Sequence, residues 1–488
     1  MRQFIVSVAW FVLLAPSASR ADILFYPIPG TGHAFQLQGE AKINTGGIVS
    51  FRHAEFGVLY FDYEKVRFFK VPSTRSLAQR QLKKAKQDQE ACLEAARWAL
   101  HHGLLSDFNK AAAAAWQLNP EHPTLKRLAN LKRRMRAPLP ILKEQEDEIR
   151  VFVPTGKDSE FVRSDHFLLM HNTKPPKNAR RKGRKPIKTP AEQRLELLET
   201  VYETFLLKFY FEGFELEIPK KRLKVVLFAH RNDFDAFSDA TKAEYSKAAG
   251  FYNKRSNTAV FYDQGTGKVF ESLDRVNKDL KEKADLAMKR HSPNVKDIVR
   301  LSKTLNVVCE VAKKSQDIEV VTHEATHQMA ANTGLMPNEA AVPVWVAEGI
   351  ATYFESPSDA AWAGVGTVNE GRLTLYRAMA HDAQHSNLDY IVSDDIFMRA
   401  NSDQEIANAY GQAWALTHFL MARHFDKLME YYKQIGARRS KDRRQFPPDQ
   451  NLAVFKKVFG DDTAALGSDW HRYMKSLKTD VERVLEGE

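Results

Sequence analysis

Hydrophobic positions follow three successive rhythms along this chain. Between 23 and 71 they come in short runs broken by glycine: Phe35-Gln36-Leu37, Ile48-Val49-Ser50-Phe51, Val58-Leu59-Tyr60-Phe61 and Val66-Arg67-Phe68-Phe69. Short runs rich in β-branched and aromatic residues predict a small antiparallel β unit. From 76 to 135 the spacing becomes three and four. Leu93, Ala96, Trp98 and Leu100 lead to Gly103, and a second stretch from Ala111 to Leu118 stops at Asn119-Pro120, which predicts two helices around a glycine turn. From about Ile149 runs and helical periods mix. Phe167 to Met170, Leu223 to Phe228 and Thr258 to Tyr262 predict strands, and Leu195, Leu198, Val201 and Phe205 predict a long helix from Ala191 to Glu212. A further helix is expected from about Ile318 to Ala331, ending at Gly334, and helices again beyond 370, including Tyr410 to Phe425 and one near Trp470.

The chain of 488 residues is too long for one ordinary core, so several domains are expected. The divisions are a leader at 1–21, a small β unit at 22–75, a helical hairpin at 76–135, a linker at 136–148 carrying Pro138 and Pro140, and an α+β domain at 149–488. The hairpin resembles a single tetratricopeptide-like unit. A lone unit cannot bury its own face, so it is expected to pack on a neighbour as a spacer rather than bind peptides.

Arg2 followed by the mostly apolar run Phe4 to Ala15 and by Ser19-Arg20-Ala21 reads as a secretory signal. The run is too short to span a bilayer and no other run is longer, so the mature protein is expected to be exported, periplasmic or extracellular and bacterial, with no transmembrane segment. Cys92 and Cys309 both lie in helical patterns, where a buried free thiol is expected rather than a disulfide. The net charge of +11 suggests nucleic acid until it is located. Lys174, Lys177, Arg180, Arg181, Lys182, Arg184, Lys185 and Lys188 fall in one Pro- and Gly-containing stretch, 173–188. With no aromatics interleaved, this reads as a solvated loop, and no specific nucleic-acid partner is expected. Docking on an anionic polymer or membrane is the alternative.

Chemistry concentrates at His323-Glu324-Ala325-Thr326-His327. Residues four apart on a helix share a face, so His323 and His327 can aim at one metal ion, with Glu324 within reach of a water rather than the metal. Twenty-one residues after His327, Glu348 lies in Trp345-Val346-Ala347-Glu348-Gly349. It completes a set of two histidines and one glutamate, which leaves a fourth tetrahedral position open, the signature of a catalytic zinc. One Zn2+ per chain is expected. Thr352 and Glu355 follow Glu348 on the same expected helix face and are candidates to orient an imidazole, ordinary exposed helix positions being the alternative.

These segments resemble the gluzincin clan of metallopeptidases. The closer resemblance is to secreted bacterial proteins of peptidase-MA-like type, carried by His323-Glu324-Ala325-Thr326-His327-Gln328 and by Tyr410-Gly411-Gln412-Ala413-Trp414-Ala415. It covers roughly 150 to 480. It implies a thermolysin-like α+β domain, with a mixed-sheet upper lobe and a helical lower lobe, acting as a zinc-dependent hydrolase on a peptide or protein substrate. Glu324 is then the base, and Tyr410 the donor to the developing oxyanion, with His418 a weaker choice and a packing role for Tyr410 the alternative. The Gly-x-Met-Glu-Asn segment of M1-type aminopeptidases is lacking, so their specificity is not implied. Residues 258–262 are offered as an edge for an extended peptide, with a plain internal strand the alternative. A second function is an exported zinc-containing scaffold with vestigial catalysis; a scaffold would need the ligands but not Glu324.

Overall fold

A computed structural model describes residues 22–27, 34–53, 57–150, 158–175, 188–240, 248–291, 295–355, 357–358, 361–439, 446–479, 482–483 and 486. The expected signal at 1–21 and most of the basic stretch, 176–187, lie outside the described residues. The chain forms two compact units, Met1–Gln81 and Leu82–Glu488, with α1 (Thr74–Ala85) running across the division. The fold is mixed α+β.

In the first unit β1 (Asp22–Pro27), β2 (Ala34–Asn44), β3 (Ile48–His53), β4 (Gly57–Asp62) and β5 (Arg67–Phe69) form an antiparallel sheet in the order β4-β3-β2-β1-β5. Side chains alternate across a strand, so Val49, Phe51, Leu59 and Phe61 bury one face while Val58 and Tyr60 are exposed.

The second unit opens with α2 (Gln89–His101), α3 (Leu105–Leu118) and α4 (Pro123–Met135). Their buried stripes, such as Ala96, Leu100, Ala111, Ala115 and Leu128, belong to the same core as the helices that follow. Residues 136–148, expected to be a linker, run into α5 (Lys143–Arg150). Its Ile149 is fully buried, and Gln145 Nε2 donates to Arg222 O at 2.7 Å. Charged residues masked this helix, which has only one apolar anchor.

The second sheet contains β6 (Glu160–Arg163), β7 (Phe167–His171), β8 (Leu223–Phe228), β9 (Gly250–Asn253) and β10 (Thr258–Tyr262) in the order β6-β7-β8-β10-β9. The three central strands are parallel and the outer two antiparallel, so the sheet is mixed and 258–262 is internal. Phe167, Leu169, Val225, Leu227 and Phe261 face one core, whereas Leu168, Met170, Val226, Phe228 and Val260 face another with Phe234 and Phe237. A sheet covered on both faces needs apolar residues at every position, which is why these strands read as unbroken runs.

Helix α6 (Pro190–Phe211) starts at a capping box: Thr189 Oγ1 accepts from Glu192 N at 3.2 Å, and the Glu192 carboxylate accepts from Thr189 N at 2.7 Å. α7 (Arg231–Ala240) contacts β8 and β10, and α8 (Lys268–Lys289) packs on α9 (Val295–Asn332). The motif helix therefore begins 23 residues before the expected start. At 1.5 Å per residue its 38 residues extend about 57 Å. Then come α10 (Val344–Phe354), α11 (Glu370–Met379), α12 (Leu388–Val392), α13 (Asp395–Met398), α14 (Asp403–Arg423), α15 (Phe425–Ala437), α16 (Pro448–Phe459) and α17 (Thr463–Ser476). α10 packs on both α9 and α14, and α11 on α14. Cys92 and Cys309 are buried free thiols. Among the described residues no helix is long and apolar enough to cross a membrane.

Candidate metal centre

Helix α9 has two working sides around the motif. Val321, Ala325 and Met329, each no more than 1% exposed, join the core that includes one face of the sheet. His323 and His327 turn the other way, with their Nε2 atoms 3.0 Å apart. Thr322 and Thr326 flank the two histidines. They are buried, their hydroxyls donating to Ile318 O at 2.8 Å and Thr322 O at 2.6 Å.

Glu348 comes from α10, whose N-terminus is anchored by Asp394: its carboxylate accepts from Val344 N at 2.5 Å and Trp345 N at 2.8 Å. Helix N-termini carry unpaired N–H groups, so a buried carboxylate there satisfies two of them. Trp345, fully buried, stacks on Tyr431. Gly349 lets α10 lie close to α14, because a Cβ there would strike the Thr417 hydroxyl and sit 3.0 Å from Ala413 O. Glu348 Oε2 thereby comes to 3.0 Å from His323 Nε2 and 3.5 Å from His327 Nε2.

These three separations test whether an ion fits. A tetrahedral ion with donors about 2.0–2.1 Å away spaces them about 3.3–3.4 Å apart. The observed 3.0, 3.0 and 3.5 Å bracket that spacing, and His323, His327 and Glu348 are the residues whose ligand atoms group tightly enough to hold a metal among the described residues. Two nitrogens and one oxygen leave one tetrahedral corner free.

The side chains' own charges reinforce the arrangement. Burial would neutralise Glu348, but His327 and the hydrogen bond with His323 hold its carboxyl well below the usual range. At His323 burial is outweighed by hydrogen bonds to Glu348 and Glu355, and the imidazole stands well above its ordinary value. Glu324, 8% exposed, is pushed up by burial and by the Glu348 and Glu355 charges, against the pull of both histidines. Burial pushes Asp394 up to about 6 despite its two N–H bonds.

Glu355 also reaches an imidazole. α10 stops at Phe354, and Glu355 is extended at φ −70°, ψ 122°. Its N–H still bonds Ala351 O at 3.1 Å, so Glu355 caps the helix, and from there its Oε1 accepts from His323 Nδ1 at 2.5 Å. A histidine that donates one nitrogen to a carboxylate presents the other nitrogen with its lone pair free for a metal. Thr352 turns away from the imidazoles. Its hydroxyl is spent on its own helix, donating to Glu348 O at 2.7 Å and Gly349 O at 3.0 Å.

Tyr410 lies beside the triad, its ring centroid 6.2 Å from that of His323. The Glu348 charge, then burial, hold its phenol far above the ordinary range, so it stays a hydrogen-bond donor. His418 is elsewhere. Its Nε2 lies 3.1 Å from Gly366 O, an acceptor only, so Nε2 carries the proton and Nδ1 accepts from Tyr473 Oη at 2.8 Å. Both nitrogens are thus occupied. Sequence reasoning missed Arg372, whose guanidinium donates to Glu355, and Glu319, which Arg372 also reaches. A lone arginine in a helical pattern carries no local signal.

Residues 317–442 match the model of a family described as Protein of unknown function (DUF1570). That match spans His323, Glu324, His327, Glu348, Glu355, Arg372, Asp394 and Tyr410, so the whole site lies inside it. No curated protein and no solved structure matches the chain.

Proposed function

We propose that this protein is an exported, zinc-dependent metallopeptidase. One observation carries the reading: Nε2 of His323, Nε2 of His327 and Oε2 of Glu348 converge at tetrahedral spacing with Glu324 buried between the two histidines in sequence. A mixed sheet against one side of α9, with α10 on the ligand side and α14 packed on it, supports a thermolysin-like arrangement.

Zinc bound by the triad would polarise a peptide carbonyl and acidify a water. Glu324 is placed to act as base towards a water at the open corner and would return the proton it takes to the leaving amine. Its upward-shifted carboxyl is a stronger base than an ordinary glutamate's, which favours taking that proton. Tyr410, kept protonated, donates to the oxygen on which negative charge develops. Glu355 fixes the His323 ring so that Nε2 faces Glu348 and His327. Glu324 distinguishes this reading from a zinc-bearing scaffold, which would have no use for a base.

The test is metal analysis of purified protein together with digestion of a peptide library with and without chelator. We expect close to one zinc per chain and chelator-sensitive hydrolysis. Glu324→Gln should keep the metal and lose hydrolysis, and His327→Ala should lose both. Undiminished hydrolysis by Glu324→Gln would remove that residue from its role.

A further inference from the structure

We propose that Arg372 is a positioning residue of the metal centre, holding the ligand His323 through Glu355 and bracing Tyr410 through its ring. The inference rests on the ligand set proposed above and not on the substrate.

Arg372 Nη2 donates to Glu355 Oε2 at 2.8 Å and to Oε1 at 3.0 Å, and Nε donates to Oε2 at 3.0 Å. A planar fork on both carboxylate oxygens fixes the plane of the carboxylate as well as its position. Glu355 is 1% exposed, so without the guanidinium its charge would have the His323 imidazole as its remaining partner. The carboxylate plane in turn sets the rotation of the His323 ring, and that rotation aims Nε2.

The other side of the guanidinium serves Tyr410. Arg372 Cζ stands 5.3 Å from the centroid of its ring, within cation–π range, and Nη2 also reaches Glu319 Oε1 at 3.3 Å. Arg372 itself is held. Asn369 Oδ1, which caps α11, accepts from Arg372 N at 3.1 Å, and α11 lies close on α14 at Gly411. One side chain therefore ties α9 (Glu319 and, through Glu355, His323), the end of α10 and the Tyr410 turn of α14. Lysine, a point charge without a fork, would keep the charge and lose the plane.

The experiment measures zinc affinity by competition with a chromophoric chelator and records the visible spectrum of the cobalt-loaded protein. The proteins are the wild type, Arg372→Gln, Arg372→Lys, Glu355→Gln, the Arg372→Gln/Glu355→Gln double variant, and Arg377→Gln, an exposed α11 arginine paired with Glu482, as control. Removing a group that orients a ligand weakens metal binding about 10- to 100-fold. We expect that loss for Arg372→Gln and for Glu355→Gln, a smaller loss for Arg372→Lys, and wild-type affinity for Arg377→Gln. Because Arg372 acts on the ion through Glu355, the double variant should bind zinc no more weakly than Glu355→Gln alone. The cobalt spectrum should shift in each weakened variant.

Wild-type affinity and spectrum in Arg372→Gln would overturn the inference, as would losses that multiply in the double variant. If Arg372→Gln fails to fold, Arg372→Lys decides: an unchanged affinity and spectrum there overturn it too. A wild type that cannot be loaded with zinc removes the ligand set, and this inference with it. A loaded wild type matched by Arg372→Gln removes this inference alone.

Discussion

The carboxylate of Asp394 accepts the backbone N–H of Trp345 at 2.8 Å, across 49 residues of chain. With the bond to Val344 N it pins the first turn of the helix that carries Glu348. Asp394→Ala leaves the part-buried Val344 N–H and the buried Trp345 N–H without this acceptor. We expect a loss of about 1–3 kcal/mol and weaker metal retention. Thermal unfolding checks the first and zinc content after dialysis the second. An unchanged unfolding midpoint would show that the first turn of α10 needs no such anchor.

Gly411 sits inside α14, where alanine ordinarily stabilises a helix by about 1 kcal/mol. Here a Cβ would lie 2.7 Å from Leu375 Cβ and 3.1 Å from Tyr376 N, and the backbone of α11 cannot yield cheaply. Overpacking of this kind costs roughly 1–3 kcal/mol, so the clash wins over propensity. Gly411→Ala should melt at a lower temperature than the wild type. A higher melting point would refute the close approach of the two helices.

His418 gives the fold a pH dependence of known sign. Burial holds its pKa down to about 4, from an ordinary 6.5. Below 6.5 the unfolded chain takes up a proton that the folded chain refuses until about 4. Stability is therefore lost as pH falls through that window, on the order of 3 kcal/mol from this residue. The difference in unfolding midpoint between pH 7 and pH 5 should shrink in His418→Gln. An equal difference in both proteins would place the acid sensitivity elsewhere.

An ion held by the folded chain and not by the unfolded one stabilises the fold. Chelator should lower the unfolding midpoint of the wild type, and added zinc should restore it. His327→Ala should respond to neither. A wild-type midpoint indifferent to chelator would mean that the native protein holds no ion.

Much of this was legible in the sequence. β7, β8 and β10 announced themselves because burial on both faces demands apolar residues throughout. His323, His327 and Glu348 were legible because metal chemistry restricts residue types and helical geometry restricts spacing. The early start of α9 was not read. Ile298, Leu305, Val308 and Ala312 keep a helical spacing, but charged residues between them dilute it. The helix end at Glu355 is foreshadowed by Pro357, a breaker that disfavours helix just before it. Arg372 was invisible for a plainer reason. Its partners lie 17 and 53 residues away, and only tertiary packing brings them together.

Both nitrogens of His323 are gripped by carboxylates seven residues apart in the chain, Glu348 on one side and Glu355 on the other. The Glu355 bond to Nδ1 resists rotation of the ring and keeps Nε2 turned towards Glu348 and His327. The donors select the guest. Magnesium and calcium seek six or more oxygens, which two imidazole nitrogens and one carboxylate oxygen do not offer, whereas an ion content with four neighbours suits this set once the proton between His323 Nε2 and Glu348 has left.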